Sequence, residues 1–137
     1  MGQNTTVLTE GIVTKTSPEG VDATVARLVG IIEGKGVKVF DVIDHSGEAA
    51  RVGLDLPDTK LVIFGSPAAG TPVMQAAPLA ALDLPLKVLV WADSAAVTRV
   101  SYNSVDYLAA RHHLGPDLRA RLEAIDRITD AVTSASR

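Results

Sequence analysis

Apolar residues recur in two rhythms along this chain, and the rhythms alternate in a definite order. Ile12–Thr16 alternates, with Val13 and Lys15 on one side, which predicts a short strand with one wet face. Ser17-Pro18 then predicts a helix start, Ser17 as cap and Pro18 at the first helical position. Val21, Val25, Leu28 and Ile32 follow at helical spacing, and Gly34 and Gly36 end that helix. Val37–Ile43 is a second strand, nearly continuous in apolar character. Glu48–Gly53, rich in small residues, predicts a short helix, and Leu54–Asp58 a turn around Pro57.

The centre of the pattern is Lys60–Trp91. Two apolar runs, Leu61–Phe64 and Leu86–Trp91, flank a middle of Gly, Pro and Ala that reads as a turn and a short broken helix. After a turn at Ala92–Ala96, Val97–Tyr102 predicts a hairpin partner for Leu86–Trp91. Asn103 or Ser104 caps the next helix, with Asp106 in its first turn. Gly115-Pro116 breaks the helix, and Leu118, Leu122, Ile125 and Val132 form the buried stripe of the last one, with Arg119, Glu123, Asp126, Arg127 and Asp130 outside. Strand, helix, four strands and helices make an α+β domain, with helices on one face of a mainly antiparallel sheet.

Composition narrows the function classes. The 137 residues suit one domain, read as residues 11–135 behind a flexible tail at 1–10. Hydrophobic residues are 47% but aromatics only 4%, so the core is built from Val, Leu, Ile and Ala. Lys and Arg number 13 against 16 Asp and Glu, and a net charge of −3 argues against a nucleic-acid partner. The absence of Cys removes disulfides, thiolate metal sites and Cys nucleophiles, and fits a reducing, cytoplasmic setting. No run reaches the roughly 18 apolar residues of a membrane span, so no membrane partner is expected. Gly2–Thr6 fits the myristoylation pattern formally, but a match that short arises readily by chance.

The candidate chemistry gathers at turns. Gly65-Ser66-Pro67-Ala68-Ala69-Gly70-Thr71-Pro72 follows a strand, with Gly65 and Gly70 spaced as in a phosphate loop. The phosphate-gripping Lys after the second Gly is missing, which excludes a nucleoside-triphosphatase. The remaining expectation is that Thr71 caps a helix begun by Pro72, whose free N–H groups hold an anion or a carbonyl. His45 beside Asp44 is the one candidate general base, with Glu48 a better orienting partner than Asp44. Lys87 and Tyr102 lie on adjacent predicted strands, where they would offer a charge and a hydroxyl. His112 and His113 diverge by about 100° on a helix and do not form a metal grip, so no metal or cofactor is expected. A Ser66–His45–Asp triad lacks the nucleophile elbow.

Four blocks of the chain together resemble domain-of-unknown-function family 302: VIDHSGEAARVG, FGSPAAGTPVMQAAP, LDLPLKVLVW and VSYNSVDYLAARHHL. The resemblance covers roughly residues 10–130. It implies a compact β-α-β(4)-α domain, a homodimer and a bacterial setting. Its motif positions fall here on Asp44, His45, Gly65, Gly70, Thr71, Met74, Asp83, Pro85, Lys87, Tyr102 and His112, among others. Two departures bear on a site: Ser66 stands where Asn is frequent, and Ala68 where Lys is common, so the loop loses a positive charge.

These readings predict a homodimeric domain that binds a small molecule or anion at one end of the sheet. Asp44, His45, Gly65, Ser66, Gly70, Thr71, Lys87 and Tyr102 would line the site, with His45 as base or hydrogen-bond partner. The alternative is a non-catalytic interaction module pairing through the small-residue run Pro67–Leu82. A weaker alternative is an enzyme with His45 as general base.

Overall fold

A computed structural model describes residues 7–135. In chain order its elements are β1 (Val7–Thr9), β2 (Ile12–Thr16), α1 (Val21–Gly34), β3 (Lys38–Asp44), α2 (His45–Arg51) and β4 (Thr59–Gly65). Then come α3 (Pro67–Ala76), a 3₁₀ segment Pro78–Leu82, β5 (Leu86–Ala92), β6 (Thr98–Asn103), α4 (Val105–His112), α5 (Pro116–Ala120) and α6 (Ala124–Thr133). The strands form one six-stranded sheet in the order β1-β2-β6-β5-β4-β3, with every pair antiparallel. The α+β class and all five predicted strands are as the hydrophobic pattern indicated. The segment 1–10, read as a tail, instead contributes β1, which pairs with β2 through Val7–Thr9; residues 1–6 lie outside the described residues. Gly11 turns the chain between these strands at φ +78, and a Cβ there would come within 2.7 Å of Tyr107 Cδ1.

One face of the sheet carries the core. Val62 and Phe64 of β4, Val88 and Val90 of β5 and Val100 of β6 are all but inaccessible to solvent. Against them lie Leu28 and Ile32 of α1 and Ile125, Ile128 and Val132 of α6, also fully buried. Each such side chain contributes about 1.5–3 kcal/mol on burial, before the entropy of ordering it. With so few aromatics, Phe64 is the largest fully buried side chain.

Three helix starts differ from the sequence reading, each for a local reason of its own. Ser17 does not cap α1: its N–H donates to the Thr98 carbonyl at 2.9 Å, extending the β2–β6 ladder. The helix begins after Gly20, and the Ser17 hydroxyl pairs with Thr24 Oγ1 at 2.7 Å instead. Next, α2 begins at His45 rather than Glu48, because Asp44 is the cap. Its Oδ1 accepts from the Gly47 N–H at 2.9 Å and the Ser46 hydroxyl at 2.8 Å. Finally, α3 begins at Pro67 behind Ser66, so Thr71 does not cap it and Pro72 lies inside it. Proline's fixed φ suits a first turn, and Pro67 takes that position before Pro72 can.

Replacing Phe64 with Ala should lower stability by about 3–5 kcal/mol, read as a shift in the urea midpoint. The Asp44 carboxyl is held below its ordinary value by the Gly47 N–H and the Ser46 hydroxyl, and that of Asp93 by the Val97 N–H and Arg99. Carboxyls lowered in this way add stability above their unfolded value of 3.8 and lose it as pH falls through the folded one. The unfolding midpoint should therefore fall as pH drops below about 4, and the Asp44→Asn, Asp93→Asn double variant should reduce that fall.

Candidate functional site

A cleft of about 150 Å³ opens where β4 ends and α3 begins. Its walls are Phe40, Met74, Leu84, Pro85, Leu86 and Leu122, with the Gly65–Gly70 turn along one side. Each wall has a local cause. The β3–β4 register shifts between Val39 and Asp41, a bulge centred on Phe40, and bulges re-aim the side chains they carry. Gly65 leaves the gap between Phe40 and Pro85 unfilled: a Cβ there would stand 3.4 Å from Pro85 Cβ and 3.8 Å from Phe40 Cε2. The Leu84-Pro85 peptide is cis and leads the chain into β5.

Pro72 supplies the least obvious piece. Inside α3 it has no N–H to give to the carbonyl four residues earlier, which is Ala68. That carbonyl instead accepts from Arg121 Nη1 at 3.4 Å, which places a guanidinium at the cleft. Arg121 has no carboxylate partner among the described residues, whereas Arg119 is engaged by Asp106 and Glu123 and Arg99 by Asp93. Lys38 adds a second cation, 4.8 Å from the centre of the Phe40 ring. The loop, uncharged at Ala68, thus has a guanidinium beside it from the end of α5.

The predicted site residues do not assemble as one group. Gly65, Ser66 and Gly70 line the cleft, while Thr71 is an exposed residue within α3. Asp44 and His45 are at the other end of the sheet. Asp44 pairs with Lys60 and Gly65 with Lys38, and five residues of strand separate the two levels by about 17 Å. His45 is exposed there, and Glu48 pairs with Arg51 at 3.6 Å rather than with it. Lys87 and Tyr102 sit on opposite faces, because Leu89 pairs with Ser101 and puts Tyr102 level with Val88. Lys87 Nζ donates to the carbonyls of Pro85 at 3.1 Å and Asp83 at 3.3 Å. Ser66, His45 and Asp83 are likewise dispersed: Asp83 binds His112, with Nε2 and Oδ2 2.6 Å apart.

A polar network lies in a second, wider pocket of about 660 Å³ between the β2–β6 edge and the last helices. Lys15 is buried on the core face, where its Nζ meets Thr129 Oγ1 at 2.6 Å, Asp130 Oδ1 at 2.8 Å and the Asp126 carbonyl at 3.3 Å. Its ammonium stands 5.2 Å from the Tyr102 ring centre, and the Tyr102 hydroxyl donates to Asp126 Oδ1 at 2.5 Å. Burial, then the Asp126 carboxylate, holds the Tyr102 phenol well above its usual value, so it stays a neutral donor. Asp126, read from the sequence as outward-facing, thus turns toward β2, while Asp130 stays exposed as expected and reaches Lys15 from the surface. The available signal was Lys15 sharing the Val13 side of its strand. Among the described residues no three His, Cys, Asp or Glu are placed to hold a metal ion.

Comparison with known proteins agrees with this architecture. The crystal structure of an uncharacterized conserved DUF302 protein from Bacillus stearothermophilus superposes with a TM-score of 0.75. At 18% identity it covers 91% of this chain and 97% of its own. A Brucella suis protein named fluoride-specific ion channel FluC 1 is 35% identical over 127 residues, which is 93% of this chain and 50% of that protein. A Brucella melitensis protein named fluoride-specific ion channel FluC 2 matches equally over 47% of its length. The chain spans about half the length of these curated relatives, and none of its described helices is long and apolar enough to cross a membrane. The model of the family described as domain of unknown function DUF302 matches residues 13–132, and the chain belongs to that family.

Proposed function

We propose that this domain is a cytoplasmic homodimer that binds a small organic acid, with its apolar body in the cleft beside Gly65 and its anionic end toward Arg121. The observation that carries this reading is the conjunction of an apolar cleft with a guanidinium that no carboxylate neutralises. A cavity near 150 Å³ holds a body the size of benzene. Closing over such a body removes apolar surface from water, and a charge-assisted hydrogen bond orients its head. His45 has no part in this site, which removes the geometric support for general-base catalysis there.

Benzoate is the matching probe, with benzylamine as the control of opposite charge. Benzoate should shift the amide resonances of Gly65–Gly70 and Leu86, while benzylamine leaves them in place. Arg121→Ala should weaken benzoate about tenfold, the loss of one charge-assisted contact. Equal binding of the two probes, or an unchanged affinity in the variant, would count against the reading.

The Brucella relatives favour a second reading, in which this domain is a unit attached to or partnered with a fluoride channel. The chain matches about half of each of those proteins, and none of its own described helices would serve as a pore helix. The other half would then supply the pore, and this domain would regulate it. In vesicles holding the Brucella suis protein, deleting the matched half should change fluoride flux or its response to benzoate. Flux unaltered in both respects would sink this second reading.

A further inference from the structure

The face of the sheet opposite α1 and α6 is apolar and only partly covered. It carries Ile43 of β3, Leu61 and Ile63 of β4 and Leu89 of β5, each retaining solvent exposure, and a shallow hollow of about 250 Å³ lies beside Leu61, Lys87 and Leu89 toward β6. Exposed apolar surface that is continuous across strands marks an interaction face.

The register shows what fits there. Ile43, Leu61 and Leu89 form one cross-strand row, and Asp41, Ile63 and Lys87 form the next. Each row is centred on β4. A two-fold axis along β4, lying between two stacked sheets, carries β3 over the partner's β5 and leaves every level along the strands unchanged. Ile43 then meets the partner's Leu89, and Leu61 and Ile63 meet their own copies. Asp41 meets the partner's Lys87, and symmetry makes that pair twice. An axis across the strands at this level would instead set Asp41 against Asp41 and Lys87 against Lys87. Like charges so placed oppose association, so the charge pattern selects the axis along β4.

We infer that this face is the homodimer interface, closed by a two-fold axis along β4 with Asp41–Lys87 pairs on either side. Such a contact is isologous and stops at two chains. The stacked sheets would lie about 10 Å apart, with interdigitated Ile and Leu between them. The inference rests on the homodimer proposed above but not on its ligand, since the cleft is walled by Leu122 of the core side.

Sedimentation equilibrium of the full chain tests it. The expected mass is twice 14.3 kDa for the wild type and 14.3 kDa for Leu61→Glu. Asp41→Lys and Lys87→Asp should each weaken dimerisation by about tenfold or more, and the double exchange should recover most of that loss. Circular dichroism melting establishes that each variant is folded; were Leu61→Glu not to fold, the charge exchange still decides. A single-chain mass for the wild type overturns the inference. So does a double exchange no better than its singles, or a folded Leu61→Glu that stays dimeric, which would move the contact to a surface such as Pro67–Leu82. A monomer that binds benzoate defeats this inference alone, whereas a dimer that binds none defeats only the ligand reading.

Discussion

An antiparallel sheet needs one face buried and tolerates the other half-wet, and the structure follows from which face α1 and α6 take. They take the side of Val62, Phe64, Val88, Val90 and Val100, which buries those side chains. Everything polar on it must then be satisfied internally, as Lys15 is by Thr129, Asp130 and the end of α6. The Lys15 ammonium loses its water while Asp130 stays largely exposed, so the pair between them is a modest source of net stability. What the Lys15 network provides is a fixed seat for α6, whose apolar stripe would otherwise tolerate sliding.

The cleft arises from three local irregularities. A bulge aims Phe40, a glycine leaves space before Pro85, and Pro72 vacates a carbonyl inside α3. None of these is a polar catalytic group, and none alone would attract notice. Together they set an apolar hollow beside a guanidinium from a turn some fifty residues further along the chain.

Periodicity was enough to read most elements, since burial on one face imposes it: the α1 stripe and the five strands are legible in the apolar pattern, whereas the single last helix read from Leu118 to Val132 is divided into α5 and α6 by a turn at 121–123. Gly65, Ser66 and Gly70 were legible as well, because a strand running into a Gly-Pro turn marks a strand end with backbone room. Contacts between distant segments were not legible. Ser17 looks like a cap only while the chain after it seems free to turn helical, and the bond of its N–H to Thr98, 81 residues away, keeps it on the β2–β6 ladder instead. Asp44 and His45 looked like neighbours of Gly65 because all three follow apolar runs. In an antiparallel pair successive strands end at opposite edges, so the same local signal names opposite ends of the sheet. Arg121 gives no local signal at all, since its place depends on a carbonyl freed by Pro72.

The position of β3 limits how these molecules meet. As an outermost strand it presents unpaired backbone groups, the usual template for strand-by-strand growth between chains. Here the bulge interrupts that template in its middle, and Lys38 and Asp41 bracket the break with charge. An edge guarded in this way resists strand-by-strand growth on the β3 side. In the proposed dimer, association across the face would make a closed pair rather than a filament, because a two-fold contact uses up the surface that forms it.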